Sequence, residues 1–414
     1  MTSRRDTTFN WKRNLFFIAL AQFLSIAGFG FSLPFIPFYI RDQLMITDEA
    51  QRSLWVGLFT ASGNLGLFLF APIWGFVADI YGRRAMLLRA NFGSAILLPL
   101  AIFMPDIVWL VALRFLLGVF AGTVTASQTL VASNTPPEKM GFAMGTISSS
   151  VGSGNLAGFL FGALVVERFG YTAGFMTSGA MLALAGFLVL FGTRENFVRK
   201  TSLRQATLGM HLTLPRFGGV WLLLGLMAAT GFVSAFERPF VPQMTELIVG
   251  DEGAKFWTSI VLGGSAVAGI IAGAVMGRLA DRTSPARVGM WSSVLAGLTA
   301  IPLALSRTIG MLIGSRMLMA FFSAGLDPVF QIWLARCAPP DKRALFLGWG
   351  TSFRAFGWFV CAATAGGVAM LGGVRMVFLV TAGLFFLLVP FIKLTSRRLS
   401  TMAAEAAAPA GRQQ

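Results

Sequence analysis

GFVADIYGRR, at residues 75–84, interrupts a long apolar run with one aspartate, two glycines and two arginines. A weaker copy, GRLADRTSPAR at residues 277–287, keeps a glycine, an alanine, an aspartate and a following basic cluster. The two copies lie 202 positions apart, and further pairs recur at offsets between 202 and 205. A repeat of this length predicts two structurally equivalent halves. The further pairs are PFIP at 34–37 with PFVP at 239–242, Arg114 with Arg316, and PPEK at 136–139 with PPDK at 339–342.

The composition indicates the class of protein that contains these halves. Hydrophobic residues make up 56% of the 414 positions and the mean hydropathy is +0.73, which is typical of an integral membrane protein. A helix that crosses a bilayer needs about 20 mostly apolar residues, and a lipid-exposed backbone must satisfy its own hydrogen bonds. We therefore predict an all-α polytopic membrane protein with twelve transmembrane helices in two six-helix pseudo-repeats. The predicted spans begin near residues 14, 54, 86, 107, 141, 171, 219, 256, 288, 309, 344 and 375.

The longest hydrophilic connection lies near the middle of the chain and suggests the domain boundaries. We predict an N-terminal six-helix bundle at 1–193, a cytoplasmic linker at 194–217, a C-terminal six-helix bundle at 218–396 and a cytoplasmic tail at 397–414. The basic start MTSRRDTTFNWKRN leads into a long apolar run, which we interpret as an uncleaved first helix.

The distribution of basic residues predicts the orientation in the membrane. Most Lys and Arg fall on the side of the linker and of both termini, so the positive-inside rule places both termini in the cytoplasm. The formal net charge of +16 is then explained by topology and does not indicate a nucleic-acid partner. The opposite side receives Arg41, Arg52, Arg168, Lys255, Arg307 and Arg375.

These motifs carry a resemblance that covers nearly the whole chain. GFVADIYGRR is similar to motif A of the major facilitator superfamily, and the second copy sits where that family repeats it. Further matches to the family are PFIPFY at the end of the first span and RFLLG from Arg114. SFRAFG around Arg354 and MVFLVTAG resemble its drug:proton antiporter branch, which includes bacterial multidrug exporters. The resemblance implies a major facilitator fold, an inner-membrane location and a site enclosed by one chain, so a monomer. One departure is the missing proline of the antiporter motif on the fifth span.

Motif A suggests a conformational latch. Gly75 and Gly82 allow a close approach and a tight turn, and Asp79 offers a negative charge to a helix N-terminus or an arginine. The resemblance implies that Asp79 contacts the start of the eleventh span, with Arg83 or Arg84 in a charge relay. The alternative is a basic turn that only sets topology. The second copy of the predicted latch comprises Gly277, Asp281 and Arg282.

Charged residues inside predicted spans are candidate functional sites, because each costs roughly 2.5 to 3.5 kcal/mol on insertion scales. Asp327 lies about 13 Å, and Arg354 about 16 Å, from the cytoplasmic end of its span at 1.5 Å per residue. The two are therefore predicted to pair, with Asp327 as the principal proton- or cation-binding carboxylate. A permanent structural ion pair is the alternative. The five candidates are Arg114, Glu237, Arg316, Asp327 and Arg354.

The other three charges have less definite roles. Glu237 is placed near the periplasmic end of the seventh span, where it forms a cavity mouth or an interfacial ion pair. Arg114 and Arg316 occupy matching positions of the two halves, and the resemblance gives Arg114 a role in proton transfer. Arg316 lies about three turns from Asp327 on nearly the same face, which allows a chain of polar contacts.

Small residues and prolines predict features of packing. Gly154, Gly158 and Gly162 follow the small-xxx-small pattern, so the fifth span is expected to pack closely, and the family implies a gating role. The PFIP and PFVP prolines are expected to bend the outer ends of the first and seventh spans. Some of the forty phenylalanines are expected to line a cavity for a hydrophobic substrate.

Several chemistries are disfavoured. One histidine, His211 in the linker, and two cysteines cannot build a usual zinc site, so no metal is predicted. Cys337 and Cys361 are expected to be free thiols. The chain has no GxxxxGK[ST] phosphate loop and no GxSxG elbow, which disfavours an ATP-driven pump and a hydrolase. We therefore predict no enzyme activity and no cofactor, with a proton gradient as the energy source.

The sequence as a whole predicts a secondary active transporter that exports hydrophobic drugs or related small molecules in exchange for protons by alternating access. Its partners would be the substrate, protons and the lipid bilayer. One alternative is a metabolite uptake symporter or facilitator, which the missing proline favours. A non-transporting membrane sensor or scaffold is the other.

Overall fold

The computed structural model describes residues 10–195, 218–337 and 343–407, which are almost entirely helical. The predicted starts of the spans agree with the observed helices to within a few residues. The first half contains α1 (Trp11–Ser32), α2 (Ile36–Asp42), α3 (Glu49–Tyr81), α4 (Arg83–Leu97), α5 (Ile107–Phe120), α6 (Thr123–Asn134) and α7 (Met140–Gly192). The second half contains α8 (Gly218–Ala235), α9 (Val241–Val249), α10 (Ala254–Arg282), α11 (Pro285–Ala304), α12 (Ile309–Ala324), α13 (Leu326–Cys337) and α14 (Arg343–Ala407).

Nine segments of the described residues are long and apolar enough to cross a membrane. Two of them, Met140–Gly192 and Trp349–Thr401, are 53 residues long. A straight helix of that length would extend about 80 Å, far more than a hydrocarbon core of about 30 Å. Gly170 (φ +81°) and Gly373 (φ +74°) interrupt these helices with a backbone conformation that favours glycine. The predicted number of twelve crossings stays a prediction.

The PFIP and PFVP motifs bend their spans, as predicted. Short 3₁₀ helices, Leu33–Phe35 and Arg238–Phe240, join α1 to α2 and α8 to α9. Proline has no backbone N–H and cannot continue the α-helical ladder, so the chain changes direction here. The chain then continues as α2 and α9. The bends therefore lie within the spans rather than at their outer ends.

Two ends of the helical bundle can be defined from the chain path. The terminal end is where α1 begins and α14 ends, and the far end contains the turns at 43–48 and 250–253. Helix α7 ends at Gly192 and α8 begins at Gly218, and the predicted division into two bundles, a linker and a tail stays a prediction. Most of the linker and the end of the tail lie outside the described residues.

The glycines of α7 pack against α1, which confirms the predicted close approach. A methyl group on Gly154 would lie 2.7 Å from the Phe23 carbonyl oxygen. One on Gly158 would lie 2.6 Å from the carbonyl oxygen of Ala27, and one on Gly162 would come equally close to α1. Since both helices belong to the first half, the packing holds that half together.

We expect Gly158→Leu to prevent the first half from folding, because the new side chain would meet rigid backbone of α1. Gly145→Leu on the same helix is the matched control, since a methyl group there meets none of the described residues within 4 Å. The measurement is the yield of monodisperse protein after detergent extraction and size-exclusion chromatography. Equal yields for the two variants would contradict the packing.

The two halves contact each other along α3 with α14 and α7 with α10. A methyl group on Gly57 would lie 2.6 Å from the Cα of Gly366, and Asn64 Nδ2 donates to the Trp358 carbonyl oxygen at 3.2 Å. Nearer the terminal end, a methyl group on Gly75 would meet none of the described residues within 4 Å. The predicted close approach at Gly75 stays a prediction, because several side chains beside it and residues 338–342 before α14 are not described.

Candidate functional site

Asp327 and Arg354 form an ion pair inside the second half, as their predicted depths suggested. Arg354 Nη1 on α14 donates to Asp327 Oδ2 on α13. Gln331 Nε2, one turn along α13, donates to the same oxygen at 3.3 Å. The Arg354 guanidinium also lies 5.1 Å from the centre of the Trp358 ring. The Asp327 side chain is 37% exposed, so water can reach a carboxylate that is held by an arginine.

A close helix contact positions Arg354. A methyl group on Gly231 of α8 would lie 2.5 Å from the Arg354 carbonyl oxygen and 2.9 Å from its Cγ. Gly357 approaches α8 equally closely, since a methyl group there would lie 2.1 Å from the Ala228 carbonyl oxygen. Helices α8 and α14 therefore meet almost backbone to backbone beside the Asp327–Arg354 pair.

Glu237 and Arg316 form a second interior ion pair. Arg316 Nη2 lies 3.1 Å from Glu237 Oε1, and the side chains are 6% and 1% exposed. The predicted position of Glu237 near the outer end is wrong, because its span continues through the 3₁₀ turn and α9 to Val249. Neither carboxylate oxygen of Glu237 accepts a hydrogen bond from the described residues. The partner of Glu237 is thus an arginine 79 positions away rather than a group at a cavity mouth.

The two ion pairs are separate. Arg316 and Asp327 are eleven residues apart, or about 16 Å at 1.5 Å per residue. The helix is interrupted between them, since α12 ends at Ala324 and α13 begins at Leu326. No described contact joins the two pairs, so the polar chain that the sequence allowed is absent from the described residues of this conformation.

Arg114 has a different environment from Arg316, although the repeat relates them. It packs on α3, where a methyl group on Gly63 would lie 2.5 Å from Arg114 Nε, and its guanidinium lies 5.4 Å from the Phe59 ring centre. A cavity of about 10 Å³ lies beside it. Within the described ranges Arg114 has no acidic partner. Its predicted role in proton transfer stays a prediction.

The motif A turn is built as predicted at Gly82, whose φ of +94° separates α3 from α4. The backbone N–H groups of Arg83 and Arg84 donate to the two carboxylate oxygens of Glu195, at 3.0 and 2.8 Å. A carboxylate at a helix N-terminus satisfies free N–H groups and interacts favourably with the helix dipole. The start of α4 is thereby fixed to the end of α7.

Much of the predicted latch lies outside the described residues. The side chains of Asp79 and Asp281, the surroundings of Gly277 and residues 338–342 before α14 are not described. Arg282 is exposed in the last turn of α10. The latch therefore stays a prediction, and the described contacts of Arg83 and Arg84 are within the first half.

The far end carries a network of ion pairs between the halves, which we call the far-end network. Arg41 and Arg52 of the first half both contact Glu246 Oε1 of the second, Arg52 Nη1 at 3.0 Å. Lys255 Nζ of the second half lies 3.5 Å from Asp42 Oδ2 of the first. A basic residue of each half therefore pairs with an acidic residue of the other half.

Further contacts extend the far-end network. Arg41 Nη1 lies 2.5 Å from Asp251 Oδ1, and the Tyr171 hydroxyl donates to Asp42 Oδ2 at 2.5 Å. Ser53 Oγ donates to Gln243 Oε1 at 3.2 Å. The far end is therefore closed in this conformation.

Sequence reasoning assigned Arg41, Arg52 and Lys255 to one side of the membrane but missed the network. A signal was available in the repeat. Asp42 and Glu246 are 204 positions apart, and Arg52 and Lys255 are 203 apart, both within the spacing of the repeated motifs. The contacts of Arg52 with Glu246 and of Lys255 with Asp42 are therefore equivalent under exchange of the halves.

Among the described residues, no group of three or more His, Cys, Asp or Glu could hold a metal ion. Cys337 and Cys361 are free thiols, as expected. The described interior does contain two arginine–carboxylate pairs, Asp327–Arg354 and Glu237–Arg316.

Comparisons with known proteins agree with this architecture. The family model described as Major Facilitator Superfamily matches residues 18–249 and 239–413. The "Multidrug resistance protein MdtG" of Salmonella arizonae is 30% identical over 408 residues, which cover 96% of this chain and 100% of MdtG. The "Multi-drug resistance efflux pump PmrA homolog" of Lactococcus lactis is 29% identical and covers 81% of this chain and 83% of its own length.

Solved structures share the fold. The nucleoside transporter NupG aligns with a TM-score of 0.74 at 14% identity, over 92% of this chain and 98% of NupG. A bacterial homolog of the human lysosomal transporter Spinster, in an inward-facing and occupied conformation, aligns with a TM-score of 0.74 at 15% identity, over 92% and 96% of the two chains. At these identities the likeness concerns the fold alone.

Proposed function

Because the chain belongs to the major facilitator superfamily and is a transporter rather than an enzyme, we propose that it exports drugs or related small hydrophobic molecules in exchange for protons. The observation that carries the proposal is the Asp327–Arg354 pair, a water-accessible carboxylate held by an arginine between two helices. The names of the relatives MdtG and PmrA support export as the direction. The chain is a multi-pass membrane protein, and we place it in a bacterial inner membrane with both termini in the cytoplasm.

In this orientation the terminal end faces the cytoplasm and the far end faces outward. The far-end network then closes the outer side, and toward the cytoplasm a methyl group on Gly75 would meet none of the described residues within 4 Å. The conformation is inward-open. We propose that the far-end network breaks and the motif A turns close when the site turns outward, which is alternating access by movement of one half against the other.

Asp327 couples this movement to protons in the proposal. A carboxylate beside an arginine favours its charged form, whereas protonation removes the attraction and releases the arginine. In the outward-open state Asp327 takes up a proton while substrate leaves. In the inward-open state it releases the proton to the cytoplasm, pairs again with Arg354 and leaves the site ready for substrate. The energy source is the proton gradient, without a cofactor.

The test uses inside-out vesicles with a respiration-driven proton gradient. We expect added hydrophobic compounds to discharge the gradient through the wild-type protein, and expect Asp327→Asn to abolish the discharge, because an amide cannot carry the proton. Asp106→Asn is the matched control, since Asp106 caps α5 far from the site and asparagine caps a helix equally well. Discharge that persists in Asp327→Asn would place the proton site elsewhere.

Other outcomes of the vesicle experiment would favour one of the two alternative functions. No discharge by a broad panel, combined with accumulation of a metabolite in right-side-out vesicles, would favour an uptake symporter or facilitator. Ligand binding without any flux would favour a sensor or scaffold. We further propose that the protein functions as a monomer and has no nucleic-acid partner, with its basic residues serving topology.

A further inference from the structure

Arg238 is a cation of the interior that neither ion pair uses. It follows Glu237 directly and begins the 3₁₀ turn between α8 and α9. The residue is exposed, whereas Glu237 before it and Phe240 two positions after it are 1% and 0% exposed. Its charge nevertheless interacts with Arg316, Glu237, Cys361 and Asp327. The turn contacts α3 of the first half and α14 of the second, so the exposed residue lies where the two halves meet, within electrostatic range of these interior groups.

The positive and negative charges near Arg238 do not balance. Three arginines, Arg238, Arg316 and Arg354, accompany two carboxylates, Glu237 and Asp327, and each carboxylate already contacts another arginine. Within the described ranges Arg238 has no carboxylate at ion-pair distance. An arginine at membrane depth costs roughly 2.5 to 3.5 kcal/mol on insertion scales, so a charge left without a counter-ion indicates a ligand that supplies one.

The groups at and near Arg238 indicate the chemical class of the ligand. A guanidinium presents its N–H groups in a planar fork that matches carboxylates, sulfonates and phosphonates. Aromatic rings on the neighbouring elements suit an apolar body. Phe232, in the last turn of α8, lies 5.4 Å from the Phe236 ring, and the Trp358 ring of α14 lies 5.1 Å from the guanidinium of Arg354.

We propose that Arg238 binds the anionic group of the substrate, and that the transported compounds are amphipathic organic anions with an aromatic or apolar body. A lipophilic cation would be repelled by Arg238 and would meet only carboxylates that are already paired. The basic residues predicted at the cytoplasmic side also raise the local concentration of anions at the open end. This inference names the substrate class of the proposed exporter, and it rests on that function only in placing substrate within the interior.

The test measures binding to the purified full-length protein, without a proton gradient. The probes are 1-naphthaleneacetate and 1-naphthylmethylammonium, which share an aromatic body and carry opposite charges. By isothermal titration calorimetry we expect the anion to bind at least tenfold more tightly to the wild-type protein. Arg238→Gln should remove that preference, and Arg238→Lys should keep part of it. Arg168→Gln, which removes an exposed arginine elsewhere, should keep all of it.

Equal binding of the two probes, or an anion preference that survives Arg238→Gln, would overturn the inference. Failure of the proposed function has a different signature. If anions bind through Arg238 but no compound discharges the proton gradient, the substrate class stands and proton antiport does not. If cations discharge the gradient and anions do not, antiport stands and the substrate class is wrong.

Discussion

Replacing Glu237 with glutamine is expected to lower the melting temperature of the purified protein more than replacing its partner Arg316 with methionine. Removal of one member of a buried ion pair leaves an uncompensated charge and costs about 3–5 kcal/mol. The two changes are not equivalent, however. A buried glutamate left alone can become neutral by taking up a proton, whereas arginine stays charged. Arg316 is 6% exposed and would then be a buried cation without its counter-ion.

The double variant Glu237→Gln with Arg316→Met separates the pair from the individual residues. Once both charges are removed, we expect the melting temperature to return close to the wild-type value, because well-packed neutral groups often replace a buried ion pair without loss. Thermal unfolding in detergent, followed by size-exclusion chromatography, measures all four proteins. A double variant as unstable as Glu237→Gln would show that other contacts of Glu237 cause the effect.

Glu246→Gln is expected to shift the protein toward an outward-open conformation, since Glu246 is the carboxylate shared by Arg41 and Arg52. Hydrogen bonds to charged groups contribute about 1.5–3 kcal/mol each. Loss of that much stabilisation of the closed far end corresponds to a shift of roughly 10- to 100-fold in the population of open molecules. Ser53, which is fully buried beside Gln243 in the closed state, becomes accessible when the far end opens.

The measurement is the rate at which a membrane-impermeant maleimide labels Ser53→Cys from outside. It is made in a background where Cys337 is serine and Cys361 is alanine. We expect Glu246→Gln to raise the labelling rate by about the same 10- to 100-fold. Asp251→Asn is the matched control, because Asp251 is 74% exposed and its contact with Arg41 is screened by water. An unchanged rate for Glu246→Gln would mean that the far-end network does not hold this side closed.

The sequence predicted those features that depend on counting residues along one helix. The pairing of Asp327 with Arg354 followed from two depths, each measured from a helix end, and the structure brings the two residues together. The close packing of Gly154, Gly158 and Gly162 followed from a spacing of four. In both cases the regular rise and turn of the helix convert sequence distance into spatial position.

Other features depend on where a helix stops or on how the halves are arranged. Glu237 was placed near the outer end because it lies about 20 residues into the span, the usual length of one crossing, whereas the chain resumes a helix at Val241 and continues to Val249. The far-end network joins residues about 200 positions apart in turns and short helices, where no periodic pattern operates.

The two equivalent ion pairs of the far-end network, Arg52 with Glu246 and Lys255 with Asp42, bear on how such a chain arose. In a dimer of two identical half-length subunits, one acidic residue of each subunit would correspond to both Asp42 and Glu246, and one basic residue to both Arg52 and Lys255. The acidic residue of each subunit would then pair with the basic residue of the other. That is the self-complementary contact of a two-fold symmetric interface. The acidic and basic positions that close the far end would therefore have served a homodimer before gene duplication and fusion. Fusion would then have left each copy of the contact free to diverge, as Asp and Glu, and Lys and Arg, have done here.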